Sequence, residues 1–437
     1  MQKTKKIFNS ILYIFVTIVI IATFYYNPYY WLELFRGSRT TIPFFYFVIY
    51  SIIVVVNFLI VYFILRYKNG LFKKRKELAL LIVTFLLFGL LLEFVSRIYI
   101  CNFADYELQS QVMLYGQCGF KPKYSPHHYL SYYPTPYYES TDGKNIHNSL
   151  GFRGPEIEIP KPKDVYRIVT LGGSSTYTEG VNDWKKDFAR ELELVLNKAG
   201  DLKIEVINGG VGGHNSWETL INLEMRVLEL EPNMIIIYQG ANDVHARLVE
   251  PSHYKSDNSG RRKYWSEKPI PFILRSTLIR LVTKINPSGM GLFVDADSYA
   301  GAVIEEDFIP KLNGTISETL AKNPPIYFER NLRNMITIAR EYDISVLLST
   351  WAYSDEKGDY VKTSYYKQGI VENNEVVKKV GKTYNVPVYD FASEMPMDNI
   401  FWADGRHVNK EGSKLKGELF AGFIYNNKLI TNNNNGK

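Results

Sequence analysis

The sequence predicts an α/β domain on a parallel β-sheet, preceded by about three transmembrane helices. Three observations carry this. Five short strand-like runs alternate with segments of helical periodicity between residues 166 and 425, the pattern of a parallel sheet with helical crossovers. One run, Met234–Tyr238 (MIIIY), is apolar throughout, which suits a strand covered on both faces. The first 100 residues are almost continuously apolar and aromatic, broken by short basic runs.

The 437 residues exceed one average domain. Ile7–Tyr26, Ile42–Leu65 and Leu78–Ile100 each reach the roughly 20 residues a bilayer span requires. The first is too long, and too poorly followed by small residues, for a cleaved signal peptide. The third carries Glu93 and Arg97, spaced to pair on one helix face. The net charge is +6. Lys3, Lys5, Lys6, Arg66, Lys68, Lys73, Lys74, Arg75 and Lys76 flank the apolar segments, as topology signals rather than as a nucleic-acid surface. The N-terminus and the 66–76 loop are then expected in the cytoplasm. The 27–41 loop and everything after residue 100 are expected outside, on a plasma or inner membrane. This inverts if the third segment only lies on the membrane. The two cysteines, Cys101 and Cys118, follow that segment. An oxidising compartment lets them pair, and otherwise they are free thiols. No Cys/His spacing suggests zinc, and no metal or cofactor is expected.

Three regions follow: a membrane anchor over 1–100, a Tyr-rich linker over 101–160 and a soluble domain over 161–430. The stretch Lys121–Ser140, with PHHYLSYYPTPYYES, reads as an irregular, extended segment packed on the domain, with a sugar-binding platform as the alternative. HNSLGFRGPE (His147–Glu156) is turn-rich. Strands are expected at Tyr166–Leu171, Lys203–Ile207, Met234–Tyr238, Ile344–Ser349 and Pro387–Tyr389. Helices are expected at Trp184–Lys198, Ser216–Leu230 (Ser216 as N-cap, with Glu218, Asn222 and Glu229 opposite the apolar stripe), Tyr327–Tyr342, Ser364–Tyr384 and Glu411–Tyr425. An insertion over about 245–325, with a basic patch at Arg261, Arg262 and Lys263, has the length of a lid or substrate-binding elaboration. The tail TNNNNGK is expected to be disordered.

Four short features fall at strand ends or helix starts, where ligands bind in open α/β sheets. LGGSST (Leu171–Thr176) is a tight turn that can expose Ser174 or Ser175 as a nucleophile. INGGVGGHN (Ile207–Asn215) offers glycine N–H groups to a developing oxyanion. YQGANDV (Tyr238–Val244) offers the Asn242 amide, with Asp243 fixing the loop. WADGRHVNKEG (Trp402–Gly412) spaces Asp404 and His407 so that a carboxylate holds one imidazole nitrogen while the other faces a serine. The other histidines carry little signal: His147 and His253 are expected to be exposed, and His214 structural with substrate contact as its alternative, while a place in the cleft is only the lesser reading of His245.

Taken in order, the four features resemble the SGNH (GDSL-type) hydrolase superfamily over roughly residues 145–428. The resemblance implies a three-layer, flavodoxin-like fold with a parallel five-stranded sheet. It points to Ser174 as nucleophile, and to Asp404 and His407 as its acid–base partners. Asn208 and Gly213 match the second block, and Gly240, Asn242 and Asp243 match GxND. The implied oxyanion hole is the Ser174 and Gly213 N–H groups and the Asn242 amide. One position departs: the family commonly has Asp before the serine, and Gly173 stands here. The sequence has no GxSxG elbow.

The resemblance implies covalent acyl transfer. The expected activity is a membrane-anchored serine esterase removing acyl or acetyl groups from a cell-surface glycan or lipid. An O-acyltransferase on a surface polysaccharide needs the same residues, and with three spans it needs a membrane acyl-donor partner. A non-catalytic binding protein of this fold is the third reading.

Overall fold

The computed structural model describes residues 6–14, 16–17, parts of 58–70, 72–105, most of 108–140, 142–200, 202–260, 275–283, 315–357 and 364–430. The chain divides into two compact units: Met1–Cys118 with Lys268–Phe293, and Gly119–Glu267 with Val294–Lys437.

In the first unit, α1 spans Arg75–Asn102 and contains the third predicted span. Among the described residues it is the helix long and apolar enough to cross a membrane. Half of the first predicted span and most of the second lie outside the described residues, as do the basic patch and the tail. Glu93 accepts a hydrogen bond from Arg97 Nε at 2.8 Å, the predicted pairing. It also accepts from Ser276 Oγ and from the Thr277 and Leu278 N–H groups, so part of the predicted insertion folds against α1. Cys101 and Cys118 form a disulfide.

The second unit opens with a hairpin, β1 (Tyr124–His127) and β2 (Ser131–Pro134). The Tyr-rich stretch is therefore paired there rather than irregular. Pro126 and Pro134 lie in a two-stranded ribbon, which tolerates missing N–H donors as a sheet interior does not.

The main sheet holds β3 (Val165–Gly172), β4 (Lys203–Gly210), β5 (Met234–Tyr238), β6 (Ser345–Ser349) and β7 (Val388–Tyr389). All pairs are parallel, in the order β4-β3-β5-β6-β7. Alternate residues serve opposite faces. Ile168, Met234 and Ile236 pack with Phe188, Leu192, Phe420 and Ile424. Val169, Ile235 and Ile237 pack with Leu332, Met335, Ile336 and Val377. This two-sided burial makes MIIIY continuously apolar and gives the expected three layers.

The turn that follows β3 is α2 (Ser174–Tyr177). The helix expected over Trp184–Lys198 is two pieces, a turn at Trp184–Lys186 and α3 (Phe188–Ala199). Asp187 breaks it, because its carboxylate caps Arg190 N–H at 2.9 Å. From α3, Asn197 exchanges two hydrogen bonds with the Ile204 backbone, and Glu193 accepts from Val206 N–H. These side chains occupy backbone groups of the edge strand β4 that no neighbouring strand pairs. The expected helix Ser216–Leu230 is α4 (Ser216–Asn222) followed by a π turn and a 3₁₀ turn. Its N-cap is Asn215, in a capping box with Glu218. Glu218 and Asn222 are therefore buried rather than solvent-facing: Asn222 Nδ2 donates to Gly209 O. After β5 comes α5 (Ala241–Arg247); α6 (Ile326–Glu341), α7 (Ser364–Tyr384) and α8 (Lys410–Asn426) complete the layers.

Candidate active site

Parallel register aligns the strand ends. Gly172 of β3 stands opposite Gly210 of β4 and Tyr238 of β5. The three loops leaving those ends carry three of the four sequence features. The fourth is the turn before α8.

Ser174 begins α2 immediately beyond β3. His407 Nε2 lies 2.8 Å from Ser174 Oγ, and His407 Nδ1 lies 2.7 Å from Asp404 Oδ2. The other carboxylate oxygen of Asp404 accepts from the Arg406 and His407 N–H groups at 2.7 and 2.8 Å. Partial burial raises the Asp404 pKa, but the His407 contact and these backbone donors outweigh it and hold it down at about 2. A charged Asp404 accepts the Nδ1 proton, which leaves Nε2 as the lone-pair nitrogen facing the serine.

The structure also separates the two serines. Ser175 Oγ donates to Arg406 O at 3.0 Å, so that hydroxyl is engaged by the backbone of the Asp–His turn, while Ser174 faces the imidazole. Lys416 of α8 supports the turn from beneath. It is 1% exposed, its Nζ donates to Ser175 O at 3.1 Å, and it sits 3.7 and 4.2 Å from the Tyr238 and Phe188 ring centroids. Burial pushes its pKa well below the usual range. Nothing in the sequence pattern marks Lys416, because α8 reads as an ordinary amphipathic helix.

A cleft beside Ser174 is lined by Gly173, Gly240, Asn242, Trp351 and Arg406 among others. Asn242 Nδ2 donates one hydrogen to His214 O at 2.7 Å, which leaves the second N–H for an oxyanion. Gly173 explains its own departure from the family pattern. A Cβ at that position would stand 2.6 Å from Asn242 Nδ2 and 3.1 Å from His214 O. Gly213 does not line this cleft. It occupies the left-handed region (φ 76°) in the turn after β4. Asn208 is structural: its amide donates to Asp187 Oδ2 and Tyr177 O and accepts from Gly210 N–H. Asp243 anchors the loop by accepting from Ser216 N–H, Ser216 Oγ and Gln239 Nε2. Burial raises its pKa to about 6.

His147 is buried, 4% exposed, against the expectation of exposure. Its Nδ1 contacts Thr135 O at 3.0 Å and its Nε2 the Tyr177 hydroxyl at 2.9 Å. His253 is half-buried. His214 is fully buried with Nε2 on Tyr132 O at 3.0 Å. Arg153, also unmarked in the sequence, donates to Tyr177 O and Val181 O, at the end of α2 and beyond it.

A family model of GDSL-like lipases/acylhydrolases matches residues 170–415. Among solved structures, the chain is similar to the lipase/acylhydrolase from Enterococcus faecalis, at 20% identity over 60% of this chain and 96% of that one, with a TM-score of 0.37. It is similar to the acetyl xylan esterase AlAXEase at 16% identity, over 59% of this chain and 99% of that one, with a TM-score of 0.36. It is also similar to the psychrotrophic esterase EstA from Pseudoalteromonas sp., solved inhibited by monoethylphosphonate, at 12% identity over 61% and 100%, with a TM-score of 0.35. No curated protein matches the chain.

Proposed function

The chain belongs to the GDSL-like lipase/acylhydrolase family, and from that premise we propose that it is a membrane-anchored serine esterase removing acetyl or longer acyl groups from a cell-surface glycan or lipid. The observation that carries the chemistry is the continuous contact Ser174 Oγ–His407 Nε2 and His407 Nδ1–Asp404 Oδ2 at 2.8 and 2.7 Å.

The mechanism follows from these contacts. His407 Nε2 takes the Ser174 proton as Oγ attacks the ester carbonyl. Asp404 holds the ring and stabilises the imidazolium. The tetrahedral oxyanion is held by the Ser174 N–H and the second Asn242 N–H; Gly213, which the resemblance adds as a donor, stands outside the lining of the cleft. His407 then protonates the departing alkoxide, leaving an acyl-Ser174. Water, deprotonated by His407, attacks that acyl group and releases the acid. Arg406 at the cleft gives it a cationic wall.

Two features support the surface location. The helix α1 has 28 residues, about 42 Å at the helical rise, against a hydrocarbon core of about 30 Å. A Cys101–Cys118 disulfide fits an oxidising compartment.

The full-length protein in detergent, assayed with p-nitrophenyl acetate, tests the reading. Turnover and fluorophosphonate labelling are expected in the wild type and absent in Ser174→Ala. A folded wild type with neither sinks it. Acetate released to water, rather than moved to an added sugar, marks hydrolysis; an active reporter after residue 110 found only in the cytoplasm refutes the location.

A further inference from the structure

The cleft beside Ser174 is small. Its cavity volume is about 10 Å³, roughly the room that one water-sized group needs. Its lining also divides an ester in two. Ser174 and Asn242 belong to that lining, whereas His407, which must reach the leaving oxygen, is not among the described residues that form it. The alcohol half therefore departs on the imidazole side, and the cleft receives the carbonyl oxygen and the acyl group.

Trp351, in the loop after β6, walls this cleft. Tyr238 at the end of β5 pairs with Ser349 at the end of β6, so the loops leaving the two strands run side by side. The Trp351 side chain lies against the β5 loop: its Cβ and Cγ are 3.4 and 3.9 Å from where a Cβ on Gly240 would stand. The residue is 2% exposed, and its ring stacks on that of Tyr238, with centroids 6.5 Å apart and planes at 23°. Hydrogen bonds fix the backbone on either side. Trp351 N–H donates to Asn374 Oδ1 at 2.8 Å, and Asn374 Nδ2 donates back to Trp351 O at 3.1 Å. Ala352 N–H donates to Tyr238 Oη at 3.1 Å. The neighbouring Asn373 donates to Gly240 O at 2.8 Å. Two adjacent residues of α7 thus hold both loops that flank the cleft. A close-packed wall held in this way does not yield to extra methylenes without cost. The methyl of an acetyl group takes the place of about one water-sized group, and a longer chain meets the indole.

We propose that Trp351 is a specificity-determining residue that limits the acyl group to acetyl, so that the substrate is an acetyl ester. This rests on the reading of the chain as a serine esterase with Ser174 as nucleophile.

The test measures kcat/KM for p-nitrophenyl acetate and p-nitrophenyl butyrate with the full-length protein in detergent, as wild type, Trp351→Leu and Trp351→Ala. A single methylene at a pocket wall changes kcat/KM by at least about tenfold, so the two added in butyrate should place it about 100-fold below acetate in the wild type. In Trp351→Ala that ratio should fall below about tenfold, chiefly because butyrate turnover rises, with Trp351→Leu in between. A merely structural role lowers the melting temperature and both activities together, and leaves the ratio unchanged. Wild-type butyrate turnover within about threefold of acetate, or a wild-type ratio retained in folded Trp351→Ala, overturns the proposal. If neither Trp351 variant folds, Asn374→Ala decides. It removes the two bonds that hold the Trp351 backbone, so the ratio should fall, and an unchanged ratio overturns the proposal. An enzyme that turns over both esters alike, and is labelled at Ser174 by a fluorophosphonate, keeps the esterase reading and loses the acetyl limit. A folded wild type with neither turnover nor labelling overturns the esterase reading, and the proposal with it.

Discussion

Gly173→Ala adds one methyl group beside the nucleophile and isolates the role of crowding there. The backbone at Gly173 is extended with negative φ (−88°), a conformation alanine adopts, so the substitution carries no left-handed backbone penalty. The new Cβ arrives 2.6 Å from Asn242 Nδ2, where apolar carbon contacts settle near 3.5 Å. The amide must retreat by about 0.9 Å. It cannot do so freely: its bond to His214 O is 2.7 Å long, and that oxygen is itself 3.1 Å from the methyl. A donor displaced by about 1 Å costs about 10²-fold in rate, and complete loss of one oxyanion donor costs about 2.7–4 kcal/mol. The expected result is a kcat for p-nitrophenyl acetate about 100-fold below wild type. KM should change little, and thermal unfolding should confirm the fold. Ser174→Ala supplies the background rate. Gly173→Asp, which restores the residue common in the family, should be at least as damaging. A folded Gly173→Ala enzyme with kcat within twofold of wild type refutes the reasoning.

Two further outcomes follow from the buried hydrogen bonds. Asp404→Asn should lower kcat by about 10⁴, because an amide donating to Nδ1 puts the remaining proton on Nε2; steady-state kinetics on the full-length protein checks it. His147 has its pKa lowered to about 3 by burial, while the unfolded chain titrates near 6.5. The unfolded state therefore binds the proton first, and stability falls with pH from about 6.5 downward, by up to about 1.4 kcal/mol per pH unit. Urea denaturation at pH 7 and pH 5 should show that loss in the wild type and a smaller one in His147→Asn. Equal losses would refute the assignment.

Much of the architecture was legible because its causes are local. The Met234–Tyr238 strand was read to the residue, since a segment buried on both faces has no polar position to blur its limits. The helix Ser364–Tyr384 matched for the analogous reason, an unbroken 3.6-residue period. Where side chains compete with the backbone, the reading failed. Asp187 cut one helix and Asn215 took the N-cap from Ser216, because short polar side chains bond nearby N–H groups as readily as they sit in a helix. His147 departs from the exposure expected of it for a related reason. Its burial depends on Thr135 O and the Tyr177 hydroxyl, 12 and 30 residues away, and no periodicity reports such partners.

The sequence by itself determined that this chain carries a parallel α/β domain, that four chemical motifs fall at its strand ends and helix starts, and that Asp404 and His407 form one unit, since three residues of a tight turn bring them together. The resemblance pointed to Ser174, but only the tertiary structure showed that its hydroxyl meets the imidazole while Ser175 bonds Arg406 O, that Asn242 crowds the Cβ position of Gly173, and that Lys416 stands behind the turn. Those contacts join residues from 69 to 241 positions apart. Hydrogen bonds along the chain set turns and helix ends, whereas the approach of remote side chains is set by how the packed layers close on one another.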